Sequence, residues 1–226
     1  MVTEGKMRMP IFPLPRSILF PGIYAPFHIF EERYKTMLKK IEAESSILAV
    51  SYAPEVQPQK FYPHMICGAG SVRVVKRYDT GESDILVFGT HRIKFHSYVQ
   101  EIPYLIGEGE VLQLDRDMPA KTEEDLLNQI KEMLIQWVFS HFEDSTRAIQ
   151  FFKTIADLEP LCNFVGYYLV GDMEKKQDLL EENELQRKAQ AVWQILKDMD
   201  VSGEGPKDPK GPTFLFPQGS SKKDFN

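Results

Sequence analysis

A chain of 226 residues with 42% hydrophobic content makes one domain or two small ones, with enough apolar surface to build a sizeable core. The formal charge of −6 argues against a phosphate backbone as the main ligand, because non-specific nucleic-acid affinity is largely electrostatic. No apolar run approaches the roughly 18 residues needed to span a bilayer. Met1 to Met9 lacks the apolar block of a signal peptide. Cys67 and Cys162, in separate apolar contexts with no CxxC spacing, read as free thiols. A cytoplasmic protein is therefore expected, and a start at Met1 with a loose polar tail reads as a free-standing one.

Met7 to Phe12 suits a first short strand. From Ile11 to Tyr34 the chain reads IFPLPRSILFPGIYAPFHIFEERY, in which Pro13, Pro15, Pro21 and Pro26 each lack an amide proton and bias the preceding residue to extended backbone. The stretch is too apolar for a solvated loop, so it reads as a buried, kinked ribbon with no uninterrupted ladder. Pro21-Gly22 supplies its sharp reversal, with Gly22 at positive φ. Glu31, Glu32 and Arg33 open a helix that runs to Glu44, with Tyr34, Met37, Leu38 and Ile41 forming one buried stripe.

Ile47 to Ala53 is of strand length, and a polar, proline-bearing loop follows to Pro63. Met65–Tyr78 and Asp84–Gly89 form a hairpin across Asp79-Thr80-Gly81-Glu82. In His91–Tyr98, Ile93 and Phe95 alternate with Arg92, Lys94 and His96, so one face is buried and the other wet. Tyr104 to Leu114 carries Glu108 and Glu110 on one face and Gly107, Gly109 and Val111 on the other, small residues that permit the curvature of barrel closure. About six short strands with a single helix among them suggest a small barrel.

At Pro119 the period changes from two to about 3.6, which makes residues 1–118 a barrel subdomain and 119–200 a helical bundle. Thr122 with Asp125 resembles a capping box. A second helix spans Asp144 to Leu158. A third restarts at Glu159-Pro160 and runs from Leu161 to Val170, apolar on most sides, so it belongs at the bundle's centre. Gly171-Asp172 caps Met173–Glu182, and Asn183 with Gln186 starts a last helix with Leu185, Ala189, Val192, Trp193 and Leu196 inward. Residues 201–226, rich in glycine, proline, serine and lysine around a single apolar island at Phe214-Leu215-Phe216, form a disordered tail.

The order PLP, LFPG, PFHIFEERY in the ribbon resembles the start of the amino-terminal substrate-binding domain of the ATP-dependent protease Lon, also found in the ubiquitin-ligase receptor cereblon. The resemblance continues through Cys67-Gly68-Ala69-Gly70-Ser71-Val72, Gly89-Thr90-His91-Arg92-Ile93-Lys94-Phe95, Ile102-Pro103-Tyr104-Leu105 and Glu108 to Leu112. It ends with Lys175, Lys176, Gln177, Leu179 and Leu180, which resemble the family's KQ-LLE pattern, and covers about residues 7–199. It implies an α+β fold, a PUA-like β-barrel followed by a C-terminal helical bundle, without the protease's catalytic parts.

No GxxxxGK[ST] loop occurs, and Ser220, Ser221, Lys222 and Lys223 lie in a polar tail with no pocket to activate a lysine. His28-Ile29-Phe30-Glu31 and His141-Phe142-Glu143-Asp144 each offer half a metal site at best, and His28 reads as a ring hydrogen-bonded within the turn before the helix. Cys67 with His64 reads as a buried structural thiol, not a nucleophile and base. The expectation is thus a non-catalytic protein without metal or cofactor. The resemblance implies that it binds unfolded or apolar polypeptide segments, with an ATP-dependent protease as the implied partner. A cleft at the junction of barrel and bundle is the expected site, with Phe27, Tyr62, Phe95 and Tyr104 as candidate lining residues. An alternative is an RNA-binding barrel using Arg73, Lys76, Arg77, Arg92, Lys94 and His96, with Tyr78 or Tyr98 for stacking. Another is an adaptor docking through Phe214-Leu215-Phe216.

Overall fold

The computed structural model describes residues 7–57, 60–141 and 145–202. The apolar island of the tail and residues 142–144 lie outside them. Eight strands come first: β1 (Met7–Leu14), β2 (Tyr24–Ile29), β3 (Leu48–Tyr52), β4 (Glu55–Gln57), β5 (Lys60–Phe61), β6 (Ile66–Arg77), β7 (Ser83–Gln100) and β8 (Leu105–Val111), with α1 (Glu32–Glu44) between β2 and β3. Five helices follow: α2 (Ala120–His141), α3 (Thr146–Thr154), α4 (Leu158–Tyr168), α5 (Met173–Glu181) and α6 (Leu185–Ser202). The architecture is α+β, as the sequence suggests.

The main sheet has six strands in the order β2-β7-β6-β3-β1-β8, and a further β7–β8 pairing closes five of them on themselves. It is not a clean barrel, because β2 pairs with the first part of β7 alone and hangs off the ring. The long β7 makes both arrangements possible. Residues 83–88 face β2 and residues 93–100 face β8. The sequence suggested two strands broken near Thr90. Instead Thr90 is the extra residue of a bulge, opposite the step from Ala69 to Gly70, and its hydroxyl donates to the Ala69 carbonyl at 3.2 Å.

The amino-terminal ribbon is more regular than its prolines suggest. Pro10 and Pro13 lie inside β1, and Pro26 inside β2. β1 pairs with β8 up to Ile11 and with β3 from Ile11 onward, so each of its prolines sits where the strand has one neighbour only. β2 is an edge strand, where a missing N–H costs no ladder bond. Between the two strands the chain is irregular and buried at Ile18, Leu19, Phe20 and Ile23. Gly22 takes φ 81° at the reversal, and its N–H donates to the Gly89 carbonyl at 2.8 Å. Leu19 and Phe20 lie directly on the sheet: a Cβ on Gly68 would come within 1.8 Å of the Leu19 carbonyl oxygen.

α1 buries Tyr34, Met37, Leu38 and Ile41, the stripe legible in the sequence. α2 begins at Ala120, two residues before the suggested cap at Thr122, and the Pro119 carbonyl accepts from Thr122 and Glu123 N–H. α4 is buried from Leu161 to Gly166 and occupies the centre of the bundle, with Asp157 accepting from Glu159 N–H at its start. Asp172 caps α5 through Lys175 N–H. Asn183 does not cap α6, since its amide oxygen accepts from Arg92. The bundle core takes in Phe20, Ile18 and Ile23 from the ribbon, so sheet and helices share one apolar cluster.

Candidate functional site

A groove of about 970 Å³ opens on the sheet side of the molecule, not at its junction with the bundle. Every lining residue lies between Phe12 and Leu105. One wall is the proline-rich ribbon, with Pro13, Pro15, Pro26, Phe27 and Phe30. The other is the Tyr62–Met65 segment with Tyr98 and the turn from Glu101 to Leu105. Phe12 packs edge-on against Phe27 and Tyr34, with ring centroids 5.7 and 4.7 Å apart, and makes the floor. Proline stiffens the first wall by removing backbone freedom, while aromatic rings give it broad apolar faces. Four apolar side chains of the groove stay accessible: Phe30 at 58%, Tyr62 at 50%, Met65 at 37% and Ile102 at 85%. Singly these would be unremarkable, but all four line one groove.

Of the residues expected at the site, Phe27 and Tyr62 line this groove and Tyr104 is buried at its base. Phe95 does not line it. Its ring lies inside the sheet beneath Gly107, where a Cβ would come within 2.4 Å of it. Phe30, Met65, Tyr98 and Ile102 were missed as lining residues. The available signal was their place in short apolar islands flanked by proline or charge, at turns and strand ends.

Three of the ionisable residues lining the groove, His28, Glu31 and Arg33, are held in pairs. Arg33 pairs with Glu31 at 2.8 Å and lies 4.5 Å over the Tyr34 ring. His28 Nδ1 lies 2.7 Å from Asp84 Oδ1 on β7, and Nε2 lies 3.4 Å from Glu82. Its bonds thus cross to the neighbouring strand and do not stay within the turn before α1. The Asp84 hydrogen bond holds the imidazole above its ordinary pKa, and His28 in turn holds Asp84 below the usual carboxylate range.

Arg92, expected on a wet face, is turned inward and buried. It donates to the carbonyls of Leu180 at 2.9 Å, Glu182 at 2.7 Å and Gln113 at 3.3 Å, and to Asn183 Oδ1 at 3.0 Å. It therefore satisfies the C-terminal carbonyls of α5, a structural role for a guanidinium fork. The basic cluster weighed for RNA loses its central member. Arg77 pairs with Glu42, Lys76 sits over Tyr78 at 4.4 Å, and Tyr98 belongs to the groove. The junction itself carries a polar pocket of about 160 Å³ beside Arg92.

His64 meets Glu181 at 3.0 Å, not Cys67, and burial pushes the Cys67 thiol far up in pKa and Cys162 to about 12. Neither thiol is an available nucleophile. Among the described residues no three His, Cys, Asp or Glu side chains gather where they would hold a metal ion. No described helix is long and apolar enough to cross a membrane.

The family described as the ATP-dependent protease La (LON) substrate-binding domain matches residues 8–198. Lon protease of Flavobacterium johnsoniae is 24% identical over 192 residues, which cover 82% of this chain and 23% of that protein. Lon protease of Anaeromyxobacter dehalogenans is 26% identical over 192 residues, covering 83% of this chain and 23% of its own. The chain thus spans about a quarter of the length of these relatives. Among solved structures, the N-terminal domain of Mycobacterium avium complex Lon protease superposes with a TM-score of 0.65 at 18% identity, covering 85% of this chain and 99% of that one. A Lon N-terminal domain protein from Xanthomonas campestris gives 0.59 at 18% identity, over 82% and 96%.

Proposed function

Starting from a chain that belongs to the LON substrate-binding domain family, we propose that it holds extended, apolar segments of other polypeptides in the sheet-side groove and performs no chemistry on them. The observation that carries this is the groove itself, about 970 Å³ of proline-stiffened and aromatic wall with Phe30 and Ile102 open to solvent. Unfolded chains expose apolar side chains that folded ones hide, and such a surface removes them from water without needing a particular sequence. Phe27, Tyr62 and Tyr104 are contact residues in this reading, joined by Phe30, Met65 and Ile102. Delivery of the bound segment to an ATP-dependent protease, in the cytoplasm, completes the role. The names of the relatives support it, and so do two cysteines that are both free.

The test is binding of a fluorescently labelled, permanently unfolded polypeptide, reduced and carboxymethylated, at micromolar protein. Retention that changes little between low and high salt, with a negative heat-capacity change, is expected of apolar capture. Binding that disappears steeply with salt would point to a charged ligand instead.

A further inference from the structure

Between Tyr62 and Met65 one wall of the groove is a short irregular segment, and it is tied to the helical bundle through a polar seam. Three residues of α5, Glu174, Gln177 and Glu181, stand on one face of that helix, three and four residues apart. Each reaches across to the sheet. Glu174 accepts from the Tyr52 hydroxyl at 2.8 Å, the Gln177 amide donates to the Ile66 carbonyl at 2.8 Å, and Glu181 meets His64 Nδ1 at 3.0 Å. Gln177 also donates to Glu181 at 2.7 Å, so the carboxylate is oriented from its own helix. The His64 ring stacks on Tyr52 at 5.2 Å with planes 20° apart.

On the sheet side the segment is held at its backbone. His64 N–H donates to the Tyr52 carbonyl, Ser51 Oγ to the His64 carbonyl, and Phe95 N–H to the Met65 carbonyl, at 2.8, 2.9 and 2.7 Å. These bonds fix the path of the chain, Tyr98 Oη adds a bond to the Pro63 carbonyl at 3.5 Å, and the His64 ring is the side chain that carries the segment's link to Glu181. That ring points away from the groove, toward α5, while its neighbours Tyr62, Pro63 and Met65 face the groove.

We propose that His64 and Glu181 are positioning residues for the groove: α5 sets the wall through them, so that the helical bundle, which supplies no lining residue, governs the affinity of the sheet for its polypeptide. The inference rests on the reading of the groove as a polypeptide site. It gives the bundle a role beyond support, since anything that shifts α5 alters what the groove holds.

The experiment uses the full chain and the same labelled unfolded polypeptide. His64→Phe keeps a ring to stack on Tyr52 but loses the bond to Glu181, and Glu181→Ala removes the bond from the other side. Each weakens binding about three- to tenfold, and the double variant is no weaker than either alone, because the pair acts as one unit. His64→Asn, whose amide nitrogen stands where Nδ1 did, restores binding to within about twofold. Amide exchange at residues 62–66 quickens in the two weakened variants while the rest of the sheet is unchanged, which general destabilisation would not produce. Phe30→Ala is the control for the groove. If it weakens binding while His64→Phe and Glu181→Ala do not, the coupling is wrong and the site stands. If none of the three weakens binding, the groove reading falls and takes the coupling with it. Glu181 is partly exposed on α5, so its variant remains informative should His64→Phe fold poorly.

Discussion

Phe20 and Phe30 stand ten residues apart on the same proline-rich ribbon and meet opposite fates. Phe20 is fully buried, with its ring 3.0 Å from where a Cβ on Gly166 would stand, at the meeting of sheet and bundle. Phe30 is 58% exposed at the groove rim. The difference lies in what each side of the ribbon is offered. Toward the bundle, the apolar central helix α4 presents a surface that complements it. Toward the groove the Phe30 ring stacks on His28 at 6.1 Å, and more than half of it stays open to solvent. A ribbon with two apolar sides and one internal partner has one side left for an external partner.

The contrast breaks most sharply at Phe20. Phe20→Ala should destabilise the protein by about 3–5 kcal/mol, read by chemical denaturation, because a ring-sized cavity opens where sheet and helices share a core. Next comes Arg92→Met, which leaves the carbonyls of Leu180, Glu182 and Gln113 without their donor. A loss of about 2–4 kcal/mol is expected, since each buried acceptor left alone costs its desolvation.

Lys188 works in the other direction. Its Nζ is buried 5.6 Å over the Phe20 ring and finds no hydrogen-bond acceptor among the described residues. Burial, and then the Arg92 charge, lowers its pKa from 10.5 to about 8. With the folded value depressed, the unfolded chain binds more protons between about pH 8 and 10.5, so this group makes stability rise with pH across that window. Below it the burial of the ammonium is a standing cost. Lys188→Met should therefore stabilise the protein at pH 7 by about 1–3 kcal/mol and flatten the rise above pH 8, both read from denaturation midpoints.

The smallest stability effect belongs to the groove. Phe30→Ala should leave folding stability unchanged within about 0.5 kcal/mol while weakening capture of unfolded polypeptide several-fold. A large loss of stability instead would mean that the ring is covered after all, and the two sides of the ribbon would no longer differ.

Much of the fold can be read along the chain because its signals are local. The helical spacing of Tyr34, Met37, Leu38 and Ile41, the Pro21-Gly22 reversal, the cap at Asp172 and the all-round apolarity of α4 each depend on residues within a turn or two of one another. The groove is different. Phe27 and Tyr62 are aromatic like Phe95, and alternation along a strand tells which face a side chain takes, not whether something lies on that face.

Arg92 shows the same limit from the other side. Alternation with Ile93 assigns it to water, yet the α5 terminus, ninety residues on, brings carbonyls that draw it in. The sequence by itself determined the helices and most of the strands, the order of sheet and helices, and the apolarity of the ribbon, since these follow from backbone chemistry and short-range period. Only the tertiary structure decided which apolar side is covered, where Arg92 and Lys188 end up, and that a wall of the groove is held by α5. Those outcomes depend on which distant surfaces meet, and no local pattern records that.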